Sequence, residues 1–172
     1  MYEKLGQFID GKWQQSSDKG TYDVINPATE EIIGQASKAT SQDVDRALKS
    51  AEKGLQVWKK TAPWQRSYII RKIADKIREK QDVLAKWMTL EVGKPLSESK
   101  GEIAGAADIF EWNAEETKRI FGQTIESRFE DTSACLLSAS WCCSCFVTME
   151  FSSCIICKKN FNSFSCWMLC NN

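Results

Sequence analysis

The side chains best equipped for chemistry are the eight cysteines, and every one of them follows Thr132, from Cys135 to Cys170. Cys154 and Cys157 have the C-x-x-C spacing that lets two thiolates share a metal ion or close a redox-active disulfide, and Cys142, Cys143 and Cys145 could add ligands. A zinc knuckle wants a second such pair and turn residues beside the thiols. This segment has neither, and the chain contains no histidine, the commonest proton shuttle and metal ligand. Before Thr132 the candidates are charged. Glu115-Glu116, and Glu98 with Glu102, are paired carboxylates of the kind used in general acid–base work, although such pairs on a helix are more often a solvated face. Arg66, Arg71 and Lys72 form a basic run that could touch a phosphate; an amphipathic helix surface is the commoner origin of such a run. Gly93-Lys94-Pro95 superficially resembles a phosphate loop but lacks the preceding Gly at the right spacing and the following Ser or Thr. No catalytic, cofactor-binding or metal-binding residue is therefore assigned.

The composition explains why the two sets of candidates feel unlike. All nine glycines and all three prolines precede the first cysteine, and of the charged side chains only Glu150, Lys158 and Lys159 follow Ser133. Two regions of one folded domain both need turn residues and a charged surface, so the chain reads as two segments, 1–131 and 132–172. The 172 residues carry 23 basic and 23 acidic groups, so nothing suggests nucleic acid or an anionic membrane as a partner. No stretch reaches the roughly 18 apolar residues of a membrane-spanning helix. The N-terminus shows no apolar core of a signal peptide, and residues 1–131 hold no cysteine, so a reducing cytoplasm is the expected location.

The elements that must position these groups are legible in the first segment. Phe8 to Trp13 reads as strand, turn at Asp10-Gly11, strand. After a loop from Ser16 to Gly20, Thr21 to Ile25 and Glu31 to Ala36 are strands around an Asn26-Pro27-Ala28-Thr29 turn. Four amphipathic helices are expected next. Thr40 caps the first, with Asp43 completing a capping box, and Val44, Ala47, Leu48, Ala51, Leu55 and Trp58 share one face. Pro63 opens the second, with a stripe of Ile69, Ile70, Ile73, Ala74 and Ile77. The third, from about Asp82 to Val92, is expected to bury Val83, Leu84, Trp87, Met88 and Leu90, with Gly93 as its C-cap and Pro95 as its stop. The fourth, from near Ser97 to before Gly122, turns Ile103, Ala106, Ala107, Phe110, Ala114 and Phe121 inward, and Gly101, Ala104 and Gly105 suggest close packing. Trp58, Trp64, Trp87 and Trp112 are expected as packing residues. Thr124 to Arg128 reads as the next strand.

In order and spacing these residues resemble the aldehyde dehydrogenases. Asn26-Pro27-Ala28-Thr29-Glu30-Glu31 resembles the NPATE turn near the start of that family. Trp58, Arg66 and Ile73-Ala74-Asp75 resemble its W…R…(I/L)AD helix pattern, and Leu90-Glu91-Val92-Gly93-Lys94-Pro95-Leu96 its LExGKPL segment. Gly101-Glu102-Ile103 and Phe110-Glu111-Trp112-Asn113-Ala114-Glu115-Glu116-Thr117-Lys118-Arg119-Ile120-Phe121-Gly122 resemble the succinate-semialdehyde dehydrogenase branch, with Asn113 where a Phe is usual. The resemblance covers about the first 131 residues. It implies an α/β chain, the N-terminal part of an aldehyde dehydrogenase fold, with short β-hairpins followed by four amphipathic helices. It also implies a parent enzyme that oxidises succinate semialdehyde or a similar small aldehyde with NAD or NADP and assembles as a homo-oligomer. In that family a cysteine thiolate attacks the aldehyde, hydride passes to the nicotinamide, and a glutamate activates water. The family's nucleophile and base lie well beyond residue 172, and nothing around Cys166 or Cys170 resembles the nucleophile motif.

The family continues toward Trp-Asn-Phe-Pro and then Ala-Ala-Gly-Cys; residues 132–172 show neither. The genetic code accounts for this. Met149-Glu150-Phe151, read one nucleotide later, forces Trp, then Asn or Ser, then a codon allowing Phe. Trp167-Met168-Leu169 shifted the same way forces Gly-Cys, and Trp141-Cys142-Cys143 forces Gly followed by Val or Ala. The second segment is expected to be an out-of-frame tail without native structure, and the chain as written to be inert, with apolar helix faces uncovered and an aggregation risk. The alternative is a helical structural or interaction protein with a Cys-rich metal-binding tail; a membrane-associated tail is weaker, since the segment lacks an amphipathic period.

Overall fold

Asp10 and Gly11 both take positive φ, 56° and 74°, the pairing a two-residue hairpin turn needs to match strand twist. They join β1 (Gln7–Ile9) to β2 (Lys12–Gln14), setting Phe8 opposite Trp13 with ring centroids 5.3 Å apart. The computed structural model describes residues 6–126 and 132–135. A second antiparallel hairpin pairs β3 (Thr21–Ile25) with β4 (Ile32–Ser37), with an irregularity between Val24 and Ile25. Its turn is held by Asn26, whose Oδ1 accepts from the Ala28 N–H at 2.9 Å and whose N–H donates to the Glu31 carbonyl at 2.9 Å.

The helices are α1 (Ser41–Lys60), α2 (Pro63–Glu79), α3 (Gln81–Val92) and α4 (Leu96–Glu116), the last continuing into a single 3₁₀ turn at Thr117–Arg119. The capping box at Thr40 and Asp43 forms as the sequence requires, Pro63 sits in the first turn of α2, and Gly93 ends α3 in the left-handed region at φ 78°. Gly93 is needed twice over there, since an added Cβ would also lie 2.9 Å from Pro27 Cγ. Thus the turn after β3 and the end of α3, distant in sequence, meet at one point.

Helix α4 is the centre of the helical layer, with α2 and α3 packed against it. The contact surfaces are small: Ala74 on α2, Ala85 on α3, and Ala106, Ala107 and Ala114 on α4 are buried, so the helices approach closely. Ile70 and Ala114 form one core cluster, with Trp58 and Phe110 packed on it. Ion pairs strap the same helices together from outside: Arg78 reaches Asp108 at 2.8 Å and Glu111 at 2.5 Å, and Lys100 reaches Asp82 at 2.7 Å.

The structure corrects several expected burials, for one reason: a stripe is buried only where this chain supplies a cover. On α2 the wide stripe splits; Ile70 and Ala74 face α4, whereas Ile69 and Ile73 are exposed. On α1 Leu55 is buried but Val44 and Leu48 are exposed. On α3 the buried residue is Ala85, and Val83, Trp87 and Leu90 are exposed. Of the expected packing tryptophans only Trp58 packs on the core; Trp64 and Trp112 are 74% and 70% exposed, and Phe121 is 72% exposed. Gly101 faces open space, so it makes no close approach.

The last described element is a third hairpin, β5 (Gln123–Glu126) paired with β6 (Thr132–Cys135). The expected strand at Thr124 to Arg128 therefore starts one residue earlier, and its last two residues lie outside the described residues. The expectation of a tail without structure is corrected at Thr132–Cys135, which pair with β5; the remaining residues, 136–172, lie outside the described residues.

Candidate functional site

Each charged candidate occupies a definite place, and together they do not converge. Lys94, in the short link after α3, extends to Glu102 on α4 with Nζ 2.6 Å from Oε2, and the pair is largely buried at 17% and 5% side-chain exposure. Pairing of this kind stabilises only when both charges are satisfied, and it takes Lys94 away from any phosphate. Two hydroxyls share a 3.0 Å hydrogen bond nearby across the same helix pair, Thr89 and Ser99, the latter fully buried. Glu98, the other half of the expected carboxylate pair, is exposed.

Glu115 binds Arg71 of α2 and Lys118, and Glu116 binds Arg119 at 2.7 Å. The Glu115-Glu116 pair is thus a helix-strapping feature, and neither carboxylate is left as a free base. The basic run is likewise dispersed. Arg66 is buried, donates to the Lys59 carbonyl at 3.2 Å and lies 5.8 Å from the centre of the Trp58 ring. Burial pushes its pKa below the usual value. Lys72 sits over the Tyr68 ring at 4.5 Å. These side chains do not fit a dinucleotide cradle: the candidate cations are committed to protein partners, and Gly93 serves a helix end rather than a phosphate turn.

The most highly coordinated polar group is one that sequence reasoning assigned only a capping role. Asp43 is fully buried. Its carboxylate accepts from the Thr40 N–H and hydroxyl at 3.0 and 2.9 Å, from the Ser17 N–H at 3.1 Å and the Ser17 hydroxyl at 2.6 Å, and from Arg46 at 2.5 Å. The Ser17 hydroxyl, then the Thr40 N–H, hold this carboxyl far below the usual carboxylate range. The site docks the loop before β3 onto the start of α1. It is a structural hub: all its lone pairs are directed at donors, so none is left for a substrate. Ser17, 26 residues away in sequence, and Arg46 both escaped sequence reading; the first could not be read, because a long-range donor leaves no local pattern.

Concavities among the described residues include two of note. One is an open apolar hollow of about 490 Å³ between α2 and α3, lined by Ile69, Ile73, Ile77 and Leu84 with Lys72, Lys76 and Lys80 beside them. The other, of about 300 Å³, lies between the β1–β2 hairpin and α1, among Asp10, Gln14, Arg46, Lys49 and Lys53. Among the described residues no cluster of three or more His, Cys, Asp or Glu could hold a metal, and no helix is long and apolar enough to cross a membrane. Cys142, Cys143, Cys145, Cys154, Cys157, Cys166 and Cys170 lie outside the described residues.

Comparison with known proteins places this geometry. The aldehyde dehydrogenase family model matches residues 13–160. A glutarate-semialdehyde dehydrogenase of Pseudomonas aeruginosa is 44% identical over 124 residues, covering 72% of this chain and 26% of that protein. An NADP⁺ succinate-semialdehyde dehydrogenase of Escherichia coli is 40% identical over 123 residues with the same coverage. Among solved structures, an NADP-dependent enzyme of E. coli aligns with a TM-score of 0.71 at 38% identity, over 73% of this chain and 26% of that one. A betaine aldehyde dehydrogenase of Staphylococcus aureus bound to NAD⁺ aligns with a TM-score of 0.71 at 34% identity, over 74% and 26%. The chain spans about a quarter of the length of the curated relatives it matches.

Proposed function

The chain belongs to the aldehyde dehydrogenase family, and on that premise we propose that it is the N-terminal scaffold of an enzyme oxidising succinate semialdehyde or a similar small dicarboxylic semialdehyde to the acid. The observation that carries this reading is the ordered match to semialdehyde dehydrogenases, at 40–44% identity over 123–124 residues. In the parent, NAD or NADP would accept the hydride, and a thiolate and a carboxylate from elsewhere in the subunit would attack the aldehyde and activate water. The contribution of this segment is mechanical. Its helices α2, α3 and α4 are clamped by ion pairs into one layer, in which Glu102, Glu111 and Glu115 are tied to Lys94, Arg78 and Arg71. The parent is cytoplasmic and homo-oligomeric in this reading. A metal-binding interaction protein, the other reading of the cysteines, draws no support from the relatives.

The 172-residue chain itself is inert in this reading, because the paired carboxylates Glu115 and Glu116 are tied into ion pairs and the family nucleophile lies beyond its end. The cysteine-bearing residues after about 132 are a frame-shifted tail. The 123–124-residue span shared with the two semialdehyde dehydrogenases supports that break. The family model's reach to residue 160 is what an intact, divergent frame would produce, so the locus decides. Sequencing the gene across codons 125 to 145 and downstream should reveal a shifted frame running into the family's cysteine and glutamate motifs. Restoring that frame should then yield turnover of succinate semialdehyde with NAD or NADP, and the 172-residue product none above background. A clean frame through residue 172 with nothing family-like beyond, or turnover by the purified 172-residue chain, overturns the proposal.

A further inference from the structure

We propose that the cleft between the β1–β2 hairpin and α1 is a binding site for a phosphate group, independent of the parent enzyme's own chemistry. The cleft, of about 300 Å³, is lined by Lys49, Ser50 and Lys53 from α1 and by Asp10 and Gln14 from the hairpin. Arg46 stands beside them but is already engaged: it meets Asp43 at 2.5 Å and the Gln14 side-chain carbonyl at 3.5 Å. Lys49 and Lys53 are different. Both are exposed, and among the described residues neither ammonium has an ion pair or a hydrogen bond. Their four-residue spacing sets them side by side on one helix face, where two like charges repel. An anion held between them turns that repulsion into attraction.

The lining selects the anion. Two unpaired ammoniums match a dianion. Lysine is a compact point charge whose N–H donors need no planar partner, so a pair of them suits a tetrahedral oxyanion. A carboxylate suits the flat fork of arginine, and the arginine here is occupied by Asp43. The Ser50 hydroxyl adds a third donor. It donates to Asp10 Oδ1 at 3.3 Å, a long contact that a phosphate oxygen can take over. Asp10 is the opposing element, a carboxylate in the same lining whose charge weakens the hold on an anion. Asp45 and Glu52, the acidic neighbours of Lys49 on α1, do not line the cleft. Asp10 takes φ 56° in its two-residue turn, where asparagine is equally at home, so its charge is separable from its place in the turn.

The test titrates the full 172-residue chain with inorganic phosphate, glycerol 3-phosphate and succinate at one fixed ionic strength, following ¹³C-labelled lysine ε-methylenes by NMR. The Lys49 and Lys53 signals, assigned by their loss in Lys49→Gln and Lys53→Gln, should shift saturably with a dissociation constant of about 1 mM for phosphate. Lys60, in the last turn of α1 and outside the cleft, should not respond. Each Lys→Gln substitution should weaken binding about threefold, the worth of one solvent-exposed ion pair. Asp10→Asn should tighten it by about the same factor. All three positions are exposed, so circular dichroism of the variants should match the wild type. Equal affinity for the two phosphates supports free phosphate as the ligand, and tighter binding of glycerol 3-phosphate supports an organic phosphate ester. Shifts that do not saturate, succinate binding as tightly as phosphate, affinity indifferent to both lysine substitutions, or weaker binding by Asp10→Asn each overturn the proposal.

Discussion

Replacing Glu102 by Gln tests whether the Lys94–Glu102 pair holds the α3–α4 corner or merely decorates it. The substitution keeps side-chain shape and removes the charge opposite Lys94 Nζ at 2.6 Å. Breaking a fully buried pair costs about 3–5 kcal/mol because one charge stays behind without its counter-ion. Lys94 is 17% exposed, so water reaches it in part, and the expected loss is about 2–3 kcal/mol, below that range. Lys94→Met strands the more deeply buried partner, Glu102 at 5% exposure, and should cost more, about 3–4 kcal/mol. The double substitution Lys94→Met with Glu102→Gln removes both charges and should cost clearly less than the sum of the two single losses. Urea unfolding followed at the helical circular-dichroism band supplies all four free energies, and the double-mutant cycle isolates the coupling. Single substitutions within about 0.5 kcal/mol of the wild type, the range of ordinary surface changes, refute the reasoning. So does a double variant whose loss equals the sum of the two.

Gly93→Ala should destabilise by about 1–2 kcal/mol, since alanine pays the left-handed penalty at φ 78° and its Cβ meets Pro27 Cγ at 2.9 Å; an unchanged urea midpoint would contradict both causes. Asp43 has a folded-state pKa depressed below its unfolded value. Its contribution is therefore complete above the unfolded pKa of about 3.9 and is lost as pH falls from there toward the folded value. Acid titration should show the wild type losing stability below about pH 5, and Asp43→Asn should start lower and show a flatter dependence; equal slopes would remove Asp43 from the account. Arg78→Ala should cost only about 0.2–1 kcal/mol despite two short ion pairs, because its partners are solvent-exposed; 1 M salt should erase most of the difference.

Local rules were readable from the residues themselves. Thr40 with Asp43, Pro63, Gly93 and the Asp10-Gly11 turn each satisfy backbone geometry or backbone donors within a few positions. Such demands hold whatever the rest of the fold does, so the first two hairpins and the helix starts appear within a residue or two of where pattern alone sets them, whereas α4, expected to reach almost to Gly122, ends at Glu116 and tightens into a 3₁₀ turn. The family resemblance was equally legible, because it lives in the order of short motifs.

Burial was not legible to the same degree. Periodicity says that Ile69, Ile70, Ile73, Ala74 and Ile77 line one wide stripe, and it is silent on which of them has a partner; only α4 decides for Ile70 and Ala74. The roles of Glu102, Glu115 and Glu116 were undecided for the same reason. A carboxylate's job depends on which cation the fold brings near, and Arg71 reaches Glu115 only because α2 crosses α4. By itself, then, the amino-acid order determined the elements, their caps and the family. The tertiary structure alone decided which apolar faces are satisfied, which charges are spent in pairs, and that Pro27 meets Gly93, because each of these is a contact between residues that no local rule connects.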